Sequence, residues 1–76
     1  MKKKSPIRTA RRMKDITQDE LASIFNVSRV TVSNWERGVT TPTPHELVAL
    51  ARVLETDLDN LMSVYNNKEE IKWKNM

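Results

Sequence analysis

Apolar residues recur along this chain in short blocks of helical period. At about 100° per residue, Leu21, Ala22, Ile24 and Phe25 fall on one side of a segment whose other side carries Asp19, Glu20 and Ser23. Farther on, Leu47, Leu50, Ala51 and Leu54 form a second stripe, and Leu58, Leu61 and Met62 continue the apolar supply. These stripes read as core. Burying one such leucine is worth roughly 1.5–3 kcal/mol, so a handful of them dominates the stability of so short a chain.

Capping residues divide the blocks. Ser5-Pro6 supplies a capping hydroxyl and a proline suited to a first helical position, which predicts a helix from about Pro6 to Lys14. Thr17 and Glu20 have the spacing of a capping box and open a second helix through Phe25. Ser28 caps a third, which Gly38 ends in the left-handed conformation that glycine tolerates best. Thr43-Pro44-His45-Glu46 is another capping box, with proline at the first position, and opens a fourth helix to about Leu54. Thr56 with Asp59 predicts a short fifth ending near Met62. The expected fold class is therefore all-α: a compact five-helix bundle over residues 6–62, between a basic arm (1–5) and a tail (63–76). In the tail Ile71 and Trp73 alternate with charges, a pattern compatible with an edge strand, a docking arm or a frayed end.

The segment from Thr17 to Gly38 holds two short helices joined by a turn so tight that it predicts a helix-turn-helix. On the third helix, Arg29, Val30, Ser33, Asn34 and Arg37 lie within an arc of about 140°, opposite Thr31, Val32, Trp35 and Glu36. Val32 and Trp35 are expected to bury against the second and fourth helices, which turns Arg29, Val30, Ser33 and Asn34 outward. That set suits the major groove of DNA, where each base pair shows a distinct pattern of donors, acceptors and methyl groups. The fork of Arg29 matches guanine O6 and N7, and Asn34 matches adenine N6 and N7. Val30 matches a thymine methyl, and Ser33 is short enough to touch a base or a phosphate. Gln18 opens the second helix, whose amide groups and positive dipole end suit a phosphate. Ser28, Thr31 and Arg37 are further candidates for backbone contact.

Charge and composition narrow the classes. The net charge of +3 is unevenly placed: residues 1–37 hold nine Lys/Arg against four Asp/Glu, and residues 38–76 hold four against six. A basic half fits a polyphosphate partner, and Lys2, Lys3 and Lys4 suit either the DNA backbone or a solubilising tail. Cysteine is absent and His45 is the single histidine, so thiolate metal sites and disulfides are excluded and no metal or cofactor is expected. There is also no glycine-rich phosphate loop and no carboxylate pair in an evident cleft, so the chain does not read as an enzyme. His45, beside Glu46 in its capping box, reads as an ordinary surface or phosphate-side residue. No apolar run approaches the roughly 18 residues a bilayer requires, and a cytoplasmic location is expected.

Thr17-Gln18, Leu21-Ala22, Val27-Ser28, Val32 and Trp35-Glu36, followed by Gly38, resemble the Xre/Cro-type helix-turn-helix family of phage-repressor-like proteins. The resemblance covers about residues 6–62. It implies a five-helix domain that binds operator DNA, usually as a dimer. By position, Gln18 matches the family's phosphate-contacting residue, and Arg29, Val30 and Asn34 match its base-reading positions. Arg11 and Glu36 match a partly buried ion pair that ties the first helix to the third. Asn26 and Asp15 stand where the family commonly has glycine, and asparagine tolerates left-handed geometry. The base-reading residues vary within the family, so no operator sequence carries over.

Dimerisation is expected on separate grounds. One recognition helix reads too few base pairs to discriminate within a genome. Two-fold pairing would set two such helices roughly 34 Å apart and make the operator near-palindromic. Leu61, Met62, Tyr65, Ile71 and Trp73 are the expected interface. The reading is thus a homodimeric transcriptional regulator, a repressor, with no small-molecule ligand evident. The competing reading is a protein-interaction adaptor, such as an antitoxin or anti-repressor, on the same fold. Acidic or bulky apolar residues on the outward flank of the third helix would favour that adaptor; Arg29, Ser33, Asn34 and Arg37 favour DNA.

Overall fold

The computed structural model describes the backbone of residues 5–66 and the side chains of residues 5–62. Five helices follow in order: α1 (Pro6–Met13), α2 (Gln18–Phe25), α3 (Arg29–Arg37), α4 (Pro44–Val53) and α5 (Leu58–Asn66). Each of the first four starts where its capping residue predicts. Ser5, Thr17, Ser28 and Thr43 are extended and accept from the backbone N–H three residues on. At α2 and α4 the boxes are reciprocal: Glu20 accepts from Thr17 N at 2.9 Å, and Glu46 from Thr43 N at 2.8 Å. Each satisfies donors that a helix start leaves without intrahelical partners.

The ends of these helices repeat one device. Asp15, Asn26, Gly38 and Glu55 all adopt positive φ, between 54° and 77°. The next residue in each case, Ile16, Val27, Val39 or Thr56, donates its N–H to the carbonyl five positions back. This is the six-to-one closure of a Schellman turn, and it reverses the chain within two or three residues. Only one of the four left-handed positions is glycine. Asp15 and Asn26 stand where the sequence pointed to glycine-like geometry; Glu55 gave no such signal.

α5 departs from expectation at both ends. It begins at Leu58, with Leu61 N donating to Asp57 O at 3.1 Å, while the Thr56 hydroxyl accepts from Asn60 Nδ2 instead of capping. It also runs past Met62 to Asn66, so residues 63–66, expected in the tail, belong to the helix. Residues 1–4 and 67–76 lie outside the described residues, and with them Lys2, Lys3, Lys4, Ile71 and Trp73; so does the side chain of Tyr65.

Ile7, Leu21, Val32, Leu50 and Leu61 form the centre of the core and are fully buried, with Ala10, Ala22, Trp35, Leu47 and Leu54 around them. Phe25 meets Trp35 edge-on, with ring centroids 5.8 Å apart. Three expectations are corrected here. Leu61, expected at a dimer interface, has no accessible surface and is a core residue, because α5 packs it against α1 and α4. Ile24, expected in the core stripe of α2, is 55% exposed: the stripe narrows to Leu21, Ala22 and Phe25 because α3 covers only that part of the helix. The packing partners of α3 are chiefly α2 and then α1, where α2 and α4 were expected.

Candidate nucleic-acid interface

The inward flank of α3 is Val32, Trp35 and Glu36, all buried. Because successive turns of a helix superpose residues three and four apart, burying these three fixes the opposite flank outward. Arg29 and Val30 are exposed there, Val30 at 57%, and Arg37 is exposed one turn beyond Ser33 and Asn34, which are half-buried. All four residues expected to read bases therefore share the side of α3 away from the core. Asn34 Oδ1 accepts from an Arg37 guanidinium nitrogen at 2.7 Å, which orients its amide. That oxygen keeps a second lone pair, and Nδ2 two donors, for a base edge. At the start of α3 the Ser28 and Thr31 hydroxyls lie 3.0 Å apart, and Ser28 Oγ also accepts from Thr31 N.

Beneath this face lies a polar cluster. Glu36 accepts from Arg11 Nε at 2.5 Å and from a second Arg11 nitrogen at 3.4 Å. It also accepts from Arg8 Nε at 3.4 Å and from Gln18 Nε2 at 3.0 Å. Arg11 spends a further nitrogen on the carbonyl of Ile16 at 2.7 Å, tying the pair to the α1–α2 turn. Among the described residues no buried side-chain nitrogen or oxygen lacks a partner. The Arg11–Glu36 pair is more deeply enclosed than the resemblance implied, with Arg11 8% and Glu36 2% exposed.

Gln18 joins this cluster to the outer face. While Nε2 donates to Glu36, Oε1 accepts from an Arg29 guanidinium nitrogen at 3.4 Å, and Arg29 Nε lies 4.0 Å from Asp19. The side chain expected to touch a phosphate is thus also a bracket between a buried carboxylate and an outward arginine.

A helix-turn-helix family model matches residues 7–61, most of the chain. The chain belongs to the Xre-type helix-turn-helix family. It is 45% identical over 49 residues to the HTH-type transcriptional regulator DicA of Escherichia coli K12, covering 64% of this chain and 36% of that protein. It is 38% identical over 56 residues to Repressor protein C2 of Salmonella phage P22, covering 74% of this chain and 26% of that protein. The matched segment thus spans about a third or less of these relatives. No solved structure matches the chain significantly.

Within the helix-turn-helix, α2 and α3 with Asn26 as the left-handed turn residue are the motif proper. The sequence reading missed Arg8 and the bracket made by Gln18. For Arg8 a signal existed: it precedes Arg11 by three residues, on the same side of α1. For Gln18 none did, because its partners lie 11 and 18 positions away. Among the described residues no helix is long and apolar enough to cross a membrane.

Proposed function

We propose that the protein is a sequence-specific DNA-binding transcriptional regulator, a repressor, that places α3 in the major groove of a near-palindromic operator and acts as a homodimer. The observation that carries this reading is the separation of the two flanks of α3. Val32, Trp35 and Glu36 hold one flank inside, and Arg29, Val30, Ser33 and Asn34 occupy the other. Arg29 reads guanine, Asn34 adenine, Val30 a thymine methyl, and Ser33 a base or phosphate. Gln18, Ser28, Thr31 and Arg37 contact the backbone and set register. Family membership and the printed functions of the two relatives support the regulatory role.

The homodimer follows from the few base pairs one helix reads. With Leu61 assigned to the core, its interface rests on Met62, Tyr65, Ile71 and Trp73. Selection from a random duplex pool tests the DNA reading directly. A recovered consensus with two half-sites about one DNA turn apart is the expected result. Recovery of an unenriched pool would sink the reading, and a single half-site would remove the dimer from it. Light scattering of the full chain at micromolar concentration gives the assembly state independently.

A further inference from the structure

Two of the outward side chains of α3 meet in its last turn. Arg37 follows Asn34 by three residues, so the two stand one above the other on the helix surface. The backbone beneath them is closed: past the left-handed Gly38, the Asn34 carbonyl accepts from Val39 N at 2.9 Å and from Thr40 N at 3.4 Å. An Arg37 guanidinium nitrogen donates to Asn34 Oδ1 at 2.7 Å, and Arg37 makes no ion pair among the described residues. A guanidinium has donors only, so the end of the amide beside it is necessarily the oxygen. Without that neighbour the terminal torsion of asparagine is broad and nearly two-fold, and its oxygen and nitrogen ends exchange places freely.

We infer that Arg37 is a positioning residue for base choice: by fixing which end of the Asn34 amide is oxygen, it separates adenine from guanine at the base pair under Asn34. The inference rests on the DNA reading above and deepens it. In the major groove both purines present N7 as an acceptor, but adenine adds the N6 donor and guanine the O6 acceptor. With Nδ2 on N7 and the free lone pair of Oδ1 toward the exocyclic group, a fixed amide pairs with adenine and sets oxygen against oxygen on guanine. An amide free to turn offers Nδ2 to O6 and accepts either purine. Arg37 has donors to spare, since one bond to Oδ1 leaves the rest of its fork for a phosphate.

The test measures binding of the full chain to the operator recovered by selection, and to the same duplex with guanine replacing the adenine under Asn34. That adenine is the one whose preference Asn34→Ala abolishes. Wild type should favour adenine by about tenfold or more, and Arg37→Ala should shrink that ratio by about 3- to 10-fold while preferences at other positions hold. Arg37→Lys keeps a charged donor and should recover part of the ratio. In an Asn34→Ala background, Arg37→Ala should change the ratio no further. Equal weakening of both duplexes by Arg37→Ala, with the ratio intact, is the signature of a phosphate contact alone and overturns the inference while the DNA reading stands. So does a change of ratio that persists in the Asn34→Ala background, which makes Arg37 itself the reader, or a selected operator in which no adenine depends on Asn34. Wild-type protein that enriches no sequence overturns both readings.

Discussion

Two arginine–carboxylate pairs anchor opposite sides of the helix-turn-helix, and they share chemistry but not environment. Arg11 and Glu36 meet at 2.5 Å with side chains 9% and 0% exposed. Arg29 and Asp19 meet at 4.0 Å with side chains 55% and 81% exposed. The buried pair has lost its water and depends on every hydrogen bond it makes, so it has one position. The outer pair is solvated and screened, and it exchanges a carboxylate for another acceptor at little cost. The proposed base-reading role would require both properties within one motif: a fixed axis for α3 and an arginine that lets go. Gln18 touches both pairs, and it is where their separation is tested.

The largest effect expected from breaking this contrast is on the buried side. Glu36→Ala leaves the Arg11 guanidinium enclosed without its carboxylate, a change that costs roughly 3–5 kcal/mol in such pairs. Against a typical stability of about 5–15 kcal/mol, that is a large share of the total. Urea denaturation should show the midpoint falling steeply, whereas Asp19→Ala should move it by no more than about 1 kcal/mol. Equal, small shifts for the two variants would mean that burial does not separate the pairs. Arg29→Ala is the complementary break. It should leave the denaturation midpoint in place and cost about 1–3 kcal/mol on the correct operator, with relaxed preference at one base pair.

Gln18→Ala sharpens the contrast, because this side chain belongs to both sides. It should weaken binding to operator and scrambled duplexes alike, and cost roughly 1 kcal/mol of stability through the lost bond to Glu36. Combined with Arg29→Ala, the operator-binding losses should fail to add, since each variant removes the Gln18–Arg29 contact. Strict additivity in that double-mutant cycle would show the 3.4 Å contact to be energetically silent.

What the sequence made legible follows the same divide. Ser28, Gly38, Thr17 with Glu20, and Thr43 with Glu46 announce helix ends because capping is local, satisfied within three to five residues. Val32 and Trp35 announce the inward flank because periodicity is local too. The network around Glu36 was half legible: Arg11 came from a positional match, while Arg8 and Gln18 joined through contacts of 28 and 18 residues in span. Ile24 misled because period alone places it with Leu21 and Phe25, and only the docking of α3 decides which part of that stripe is covered. The end of α5 was misplaced because the residues after Met62 carry no glycine or proline stop.

The smallest predicted effects lie in the turns, outside both pairs, and so serve as their control. Asp15, Asn26 and Glu55 each hold a left-handed backbone that costs a residue with a Cβ roughly 1–2 kcal/mol relative to glycine. Glycine returns part of that gain by loosening the unfolded chain. The net stabilisation expected for Asp15→Gly is thus about 0.5–1 kcal/mol. Asn26→Gly should give less, since asparagine already tolerates this geometry. Glu55→Gly should fall between them, because it also removes an ion pair to Lys14 at 3.0 Å whose glutamate side is 71% exposed. Thermal melts would rank the three, and none should alter operator preference. A turn variant that did alter it would show that the tilt of α3 is set by the turn closures as well as by Glu36, and the two-sided account of this motif would need a third support.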